Sequence, residues 1–244
     1  MIKPTRILVF QHIAAEHPGI FRKFLQEDGI EWLPIELDEG ESIPSLDKFD
    51  ALWVMGGPMD VWEEKEHPWL VDEKAAIREA VVERKLPYLG FCLGHQLLAD
   101  ALGGKVGIAG TPEIGVLDVK TTEQGLDSPF LQNLPTALRC LQWHSAEVMR
   151  EPESAKVLAS TSACPIQAMS VGAHALSVQF HIEITPATVS EWGGIPAYKT
   201  ALEKSLGNNA LENLNTEANK YIDAMNQHSR LLYENWKRAT LPNV

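Results

Sequence analysis

Cysteine is scarce: three residues in 244, widely spaced. An odd number at such spacing excludes a disulfide framework and gives no zinc-site pattern. Long apolar runs are missing as well. None approaches the ~18 residues of a membrane span, and Ile7 to Phe10 is too short for a signal-peptide core, so a cytoplasmic chain without membrane contact is expected. No Lys/Arg cluster occurs. With 21 basic against 33 acidic residues the net charge is −12, which disfavours nucleic acid and anionic lipid as partners. A glycine-rich phosphate loop and a metal-ligand cluster are also lacking, so neither cofactor nor metal is expected. No repeat, low-complexity segment or long linker divides the chain. One domain over 1–244 is expected, with a core over about 5–195 and C-terminal helices over about 196–240.

What is present is a 45% hydrophobic chain, ample for a sizeable core. Short buried runs at 6–12, 30–37, 49–58 and 86–91 alternate with amphipathic segments at 17–29, 67–86 and 93–104. That rhythm predicts an α/β fold: a mostly parallel central sheet with helices on both faces. The runs at 115–122, 137–144, 155–160, 166–171 and 174–180 have little helix between them and predict a small antiparallel elaboration. From about Pro186 the pattern is helical again. This tail suits a subunit interface, a lid or a capping layer, and a homo-oligomer is compatible with it.

The stretch Gly90-Phe91-Cys92-Leu93-Gly94 joins a strand to a helix. G-x-C-x-G there has the form of a nucleophile elbow, a turn so tight that side chains two residues either side of the nucleophile would collide with its backbone. The helix N-terminus beginning at Leu93 favours thiolate over thiol, and its free N–H groups suit an oxyanion. A thiol nucleophile needs a base, and the base needs an orienter. His181 ends an apolar strand, and Glu183 follows on the same face, about 6.6 Å along the chain. Gly56-Gly57-Pro58 ends another buried strand, and in a parallel sheet its loop opens on the same edge as Cys92. Other residues are expected to be bland: Cys140 in a core strand, Cys164 in a turn, His95 structural, and His12, Glu16 and His17 in a solvated loop.

Together these motifs resemble the class I, triad-type glutamine amidotransferases, and the free-standing relatives of the GMP synthase glutaminase among them. The G-G-P loop, G-x-C-x-G-H-Q and F-H-x-E stand in the family's order, although Ile182 replaces the family's proline. The resemblance implies the flavodoxin-like fold of that family. It also implies attack of Cys92 on the side-chain amide of L-glutamine or a related γ-glutamyl substrate, giving glutamate and ammonia through a thioester. His181 is the implied proton shuttle and Glu183 its orienter. Gly57 and Leu93 are the implied oxyanion donors, with Gly56, Gln96, Trp143, His144 and Ser145 on the substrate. No synthetase half follows the triad, so the ammonia goes to a separate ammonia-accepting synthetase subunit or is wasted, or the substrate is another γ-glutamyl compound. Two alternatives stand beside this reading: a hydrolase of γ-glutamyl amides or peptides with the same triad, and a non-enzymatic regulatory or binding subunit. An α/β-hydrolase is disfavoured, because its acid precedes its histidine.

Overall fold

The structure, a computed structural model, describes residues 5–241. The short apolar runs form β1 (Arg6–Gln11), β2 (Glu31–Glu36), β3 (Ala51–Val54) and β4 (Tyr88–Phe91). Between and after them lie α1 (Phe21–Glu27), α2 (Trp69–Arg78) and α3 (Leu93–Ala101). The second half supplies β5 (Lys105–Thr121), the single-turn α4 (Glu123–Leu126), β6 (Ala137–Arg150), β7 (Ala155–Ser160), β8 (Ala168–Val171) and β9 (Ala175–Val178). It ends in α5 (Thr188–Trp192), α6 (Pro196–Leu206) and α7 (Ala210–Thr240).

All nine strands share one sheet in the order β2-β1-β3-β4-β9-β8-β7-β5-β6. Neighbours from β2 through β9 run parallel. From β9 outward every pairing is antiparallel. The α/β class, the parallel core and the antiparallel extension are thus as expected. The extension is larger than its sequence suggested, because β5 starts at Lys105 and not near Gly115. Gly107, Gly110 and Pro112 break the alternating pattern there, and the pairing with β6 bulges between Ile108 and Glu113. Likewise α1 begins at Phe21, four residues later than predicted, and α2 ends in a π-helical turn, Glu79–Glu83.

Helices cover both faces. On one, Phe21 and Phe24 of α1 and Leu232, Tyr233 and Trp236 of α7 bury the Trp53 side of the sheet. On the other, Leu70 and Ile77 of α2 meet Leu97 and Leu98 of α3 over Leu52 and Val54. The Trp236 indole stands edge-on to Trp53 at 5.4 Å and donates to Tyr88 O at 2.9 Å. The final helix is therefore part of the core, so the packed body extends well past 195. A third apolar cluster, with Trp143, Trp192, Tyr198, Leu214 and Met225, joins α5, α6 and α7 to β6. Among the described residues no helix is long and apolar enough to cross a membrane.

Candidate functional site

Strands β1, β3, β4 and β9 are successive neighbours. Being parallel, they deliver four loops to one edge of the sheet: residues 12–20, 55–60, 92–94 and 179–185. Ligands bind at such carboxyl edges in open α/β sheets.

Cys92 lies between β4 and α3 with φ 48° and ψ −103°. A non-glycine residue there is strained, and such strain persists only where the surroundings enforce it. Several contacts do so. Cys92 N donates to Val178 O at 2.9 Å, and Cys92 O accepts from His95 N and Gln96 N at 3.0 and 3.1 Å. The turn also needs Gly94, where a Cβ would stand 2.1 Å from Val54 O. The result leaves the thiol against the N-terminal end of the nine-residue α3, whose dipole favours a negative charge.

His181 sits just beyond β9, bridged to β6 by His181 N to Leu141 O at 2.8 Å and Leu141 N to His181 O at 3.0 Å. Its Nδ1 donates to Glu183 Oε1 at 2.6 Å, and the nearby Cys92 thiol also favours its charged form. Burial disfavours the imidazolium, but the charge and hydrogen bond of Glu183 and the neighbouring Cys92 outweigh it and hold His181 well above its ordinary value. The segment is pinned from outside: Glu183 O accepts from Ile20 N at 2.7 Å, and Ile182 O accepts from Ser229 Oγ of α7. Trp192 meets the His181 ring edge-on at 4.6 Å.

A cavity of about 190 Å³ opens over Cys92, and Gly57, Leu93, Gln96, Trp143, His144 and Ser145 line it. The amides of Gly57 and Leu93 make no backbone hydrogen bond to another described residue. Gly56 stands behind the cavity wall instead. Its carbonyl accepts from His12 Nδ1 at 2.7 Å, and a Cβ there would lie 2.5 Å from Glu16 Oε2. Gln96 spends its amide donors inside the protein, on Ala146 O and Gln179 Oε1, both at 3.1 Å.

The loop after β1 is not solvated as expected. His12 and Glu16 are buried, and His17 is partly covered. His12 donates from its two nitrogens to Gly56 O and to Glu73 Oε1, the latter at 2.9 Å. Burial works against its charge, yet Glu73 and the Gly56 carbonyl raise its pKa. The apolar context of "QHIAAEHPG" hides this, since these partners lie 44 and 61 residues away. Burial raises the Glu16 carboxyl; its Oε1 accepts from the Tyr198 hydroxyl, while Oε2 has no hydrogen-bond partner.

Sequence reasoning passed over Gln179, whose Nε2 lies 3.5 Å from Cys92 Sγ. Its position two residues before His181 was the available signal. Tyr198, which lines the cavity, and Trp192 lie in the tail, where nothing local sets them apart from other helical aromatics. His95 bonds Ser177 Oγ at 2.8 Å and Ile166 O at 3.0 Å, and burial lowers its pKa to about 3. Cys140 and Cys164 are buried, and that burial raises both thiols.

The sequence profile described as "Glutamine amidotransferase class-I" matches residues 22–191. A glutamine-hydrolyzing GMP synthase from Aeropyrum pernix is 37% identical over 145 residues, 59% of this chain and 26% of that one. The chain thus spans about a quarter of that relative. A glutamine-hydrolyzing GMP synthase subunit from Sulfolobus acidocaldarius is 31% identical over 71% of this chain and 87% of its own. Gamma-glutamyl peptidase 3 of Arabidopsis thaliana is 27% identical over 71% and 72%. Among solved structures, a glutamine amidotransferase from Thermotoga maritima superposes with a TM-score of 0.85 at 28% identity, over 96% of this chain and 98% of that one.

Proposed function

Because the chain belongs to the class I glutamine amidotransferase family, we propose that it hydrolyses the side-chain amide of glutamine through a thioester on Cys92. One observation carries the reading: a thiol on a strained elbow, beside a buried histidine that is itself hydrogen-bonded to a buried carboxylate.

The chemistry follows from that arrangement. The Cys92 sulfur attacks the amide carbon, and the C–S bond forms as the carbonyl oxygen becomes an oxyanion. The Gly57 and Leu93 amides receive this charge; such donors are typically worth about 10²–10³ in kcat each. His181 then gives its proton to the departing nitrogen, the C–N bond breaks, and ammonia leaves. Water attacks the thioester while His181 takes a proton from it. The C–S bond breaks, glutamate is released, and the thiolate returns. Glu183 holds the imidazole in one tautomer and stabilises its charged form. Trp143, His144 and Ser145 form the wall against which the amino-acid head lies.

The likeness to a GMP synthase subunit that is a chain of its own supports delivery of the ammonia to a distinct synthetase partner. The likeness to a gamma-glutamyl peptidase supports a second reading, in which the bond cut is a γ-glutamyl peptide.

The test is glutamate release from L-glutamine by the purified protein, beside Cys92→Ala and a panel of γ-glutamyl dipeptides. Release from glutamine that falls to background in Cys92→Ala is the expected result. Cleavage of dipeptides alone would move the assignment to the second reading. If neither is cleaved and a glutamine-like chloroketone leaves Cys92 unmodified, the chain is a binding module and the thioester mechanism is wrong.

A further inference from the structure

Beside the cavity, on the far side of His144, lies a group of chemistry-bearing side chains that the amidase reading does not use. Glu113 of β5, His144 of β6 and Cys164 of the β7–β8 loop each offer one ligand atom, and these atoms all lie within 4.8 Å of one another. All three residues are buried. Glu147, also buried, faces the Cys164 thiol.

The polar accounting within this group does not close. His144 Nδ1 donates to Ala146 O at 3.0 Å, so in a neutral ring Nε2 carries a lone pair. That Nε2 stands 3.2 Å from Glu113 Oε2, at an angle that makes no hydrogen bond. Two acceptors so placed repel unless a cation, either a proton or a metal ion, lies between them. Glu147 Oε2 is likewise buried without a partner, and an orphaned buried carboxylate is costly. Gln167 Nε2 donates to Glu113 Oε2 at 2.6 Å, orienting it as a supporting residue orients a metal-binding carboxylate.

We propose that Glu113, His144 and Cys164 form a binding site for a zinc ion, with water in the fourth position and Glu147 beside the Cys164 ligand. One sulfur, one imidazole nitrogen and one carboxylate oxygen are a donor set that suits zinc. Bond lengths of about 2.0–2.3 Å in a tetrahedron place neighbouring ligand atoms roughly 3.3–3.6 Å apart. The spread of the Glu113, His144 and Cys164 ligand atoms, within 4.8 Å, contracts to that with small side-chain movements. Binding breaks the Cys164 S–H bond, forms Zn–S, and gives the proton to solvent. The sequence hides the site because its ligands are not spaced as any zinc motif: they are drawn from positions 113 to 164.

The test uses the full-length chain carrying Cys92→Ala, so that the catalytic thiol contributes nothing, and its readouts involve no turnover. Failure here therefore leaves the amidase reading untouched, and the reverse holds. After chelator treatment, zinc titration by calorimetry is expected to show one equivalent bound. Cobalt(II) is expected to give the visible bands of a tetrahedral site and a near-ultraviolet sulfur-to-metal band. Cys164→Ser should abolish that sulfur band. Glu147→Gln should retain it while weakening zinc binding by at least about tenfold, the lower end of what even a supporting residue contributes. Absence of stoichiometric binding, or a sulfur band unchanged in Cys164→Ser, overturns the site. Should Cys164→Ser fail to fold, Glu113→Gln decides: unchanged zinc affinity overturns the site.

Discussion

Glu183 stabilises the charged form of His181 and so raises its pKa. In the proposed mechanism the imidazolium delivers the proton to the leaving nitrogen, so activity falls as pH rises through that raised value. Glu183→Gln removes the negative charge and lowers the His181 pKa. The alkaline limb of kcat/KM should therefore move to lower pH, and kcat should fall by about 10²–10⁴, the usual contribution of a positioned acid–base group. A pH profile of the variant checks both; an unmoved limb would show that another group sets it. At this scale Cys92, His181 and Glu183 could be picked from sequence, because an elbow and a His-x-Glu step are short-range patterns. Glu16 and His12 could not, since burial in the folded state is what gives them their partners. Their own neighbours in the chain are ordinary loop residues.

The elbow between β4 and α3 illustrates how an element imposes geometry on a side chain. Gly94 lies where a methyl group would collide with the Val54 carbonyl, and that carbonyl belongs to a strand locked between β1 and β4. Gly94→Ala is expected to cost about 1–3 kcal/mol, as overpacking does, and calorimetry should record a fall in Tm of about 2–4 °C per kcal/mol. Glutamate release should suffer more than stability, because α3 is displaced from the thiol it supports. Retention of full activity would mean that the turn tolerates a wider path. The strands of the first half were readable from their apolar runs, and β5 was readable only in its second half. Its first half carries glycines and a proline that a bulged strand accommodates and a regular one does not. Where α6 lies was illegible: amphipathic spacing says that a helix has a buried face, not which surface receives it.

Across the whole molecule the site and the last helix are joined. Trp236, Tyr233 and Leu232 fill the core beneath β3 and β4, and Ser229 of the same helix holds the carbonyl of Ile182 beside the His181–Glu183 pair. Trp236→Ala should cost about 3–5 kcal/mol, the usual toll for removing a large buried aromatic. Thermal scans followed by circular dichroism and by residual glutamate release should then lose structure and activity over the same, lower temperature range. Two separate transitions would show that α7 packs as an independent layer. The parallel core was legible because alternating strand and helix leaves few arrangements open. The place of α7 was not, because contacts such as Phe21 with Tyr233, 5.8 Å apart, span more than two hundred positions.

That long closure bears on how the protein is born. A ribosome releases β1 through β9 before the residues of α7, and domains synthesised from the N-terminus begin to fold as they emerge. Until residues 210–240 follow, the Trp53 side of the sheet is covered by α1 without α7, and the strand end bearing His181 has no Ser229 to hold it. The nascent chain is thereby exposed to sticking and in need of shielding. Its thiol meets its fully braced histidine only late in synthesis, so the proposed amide-cleaving centre is not assembled before α7 is made.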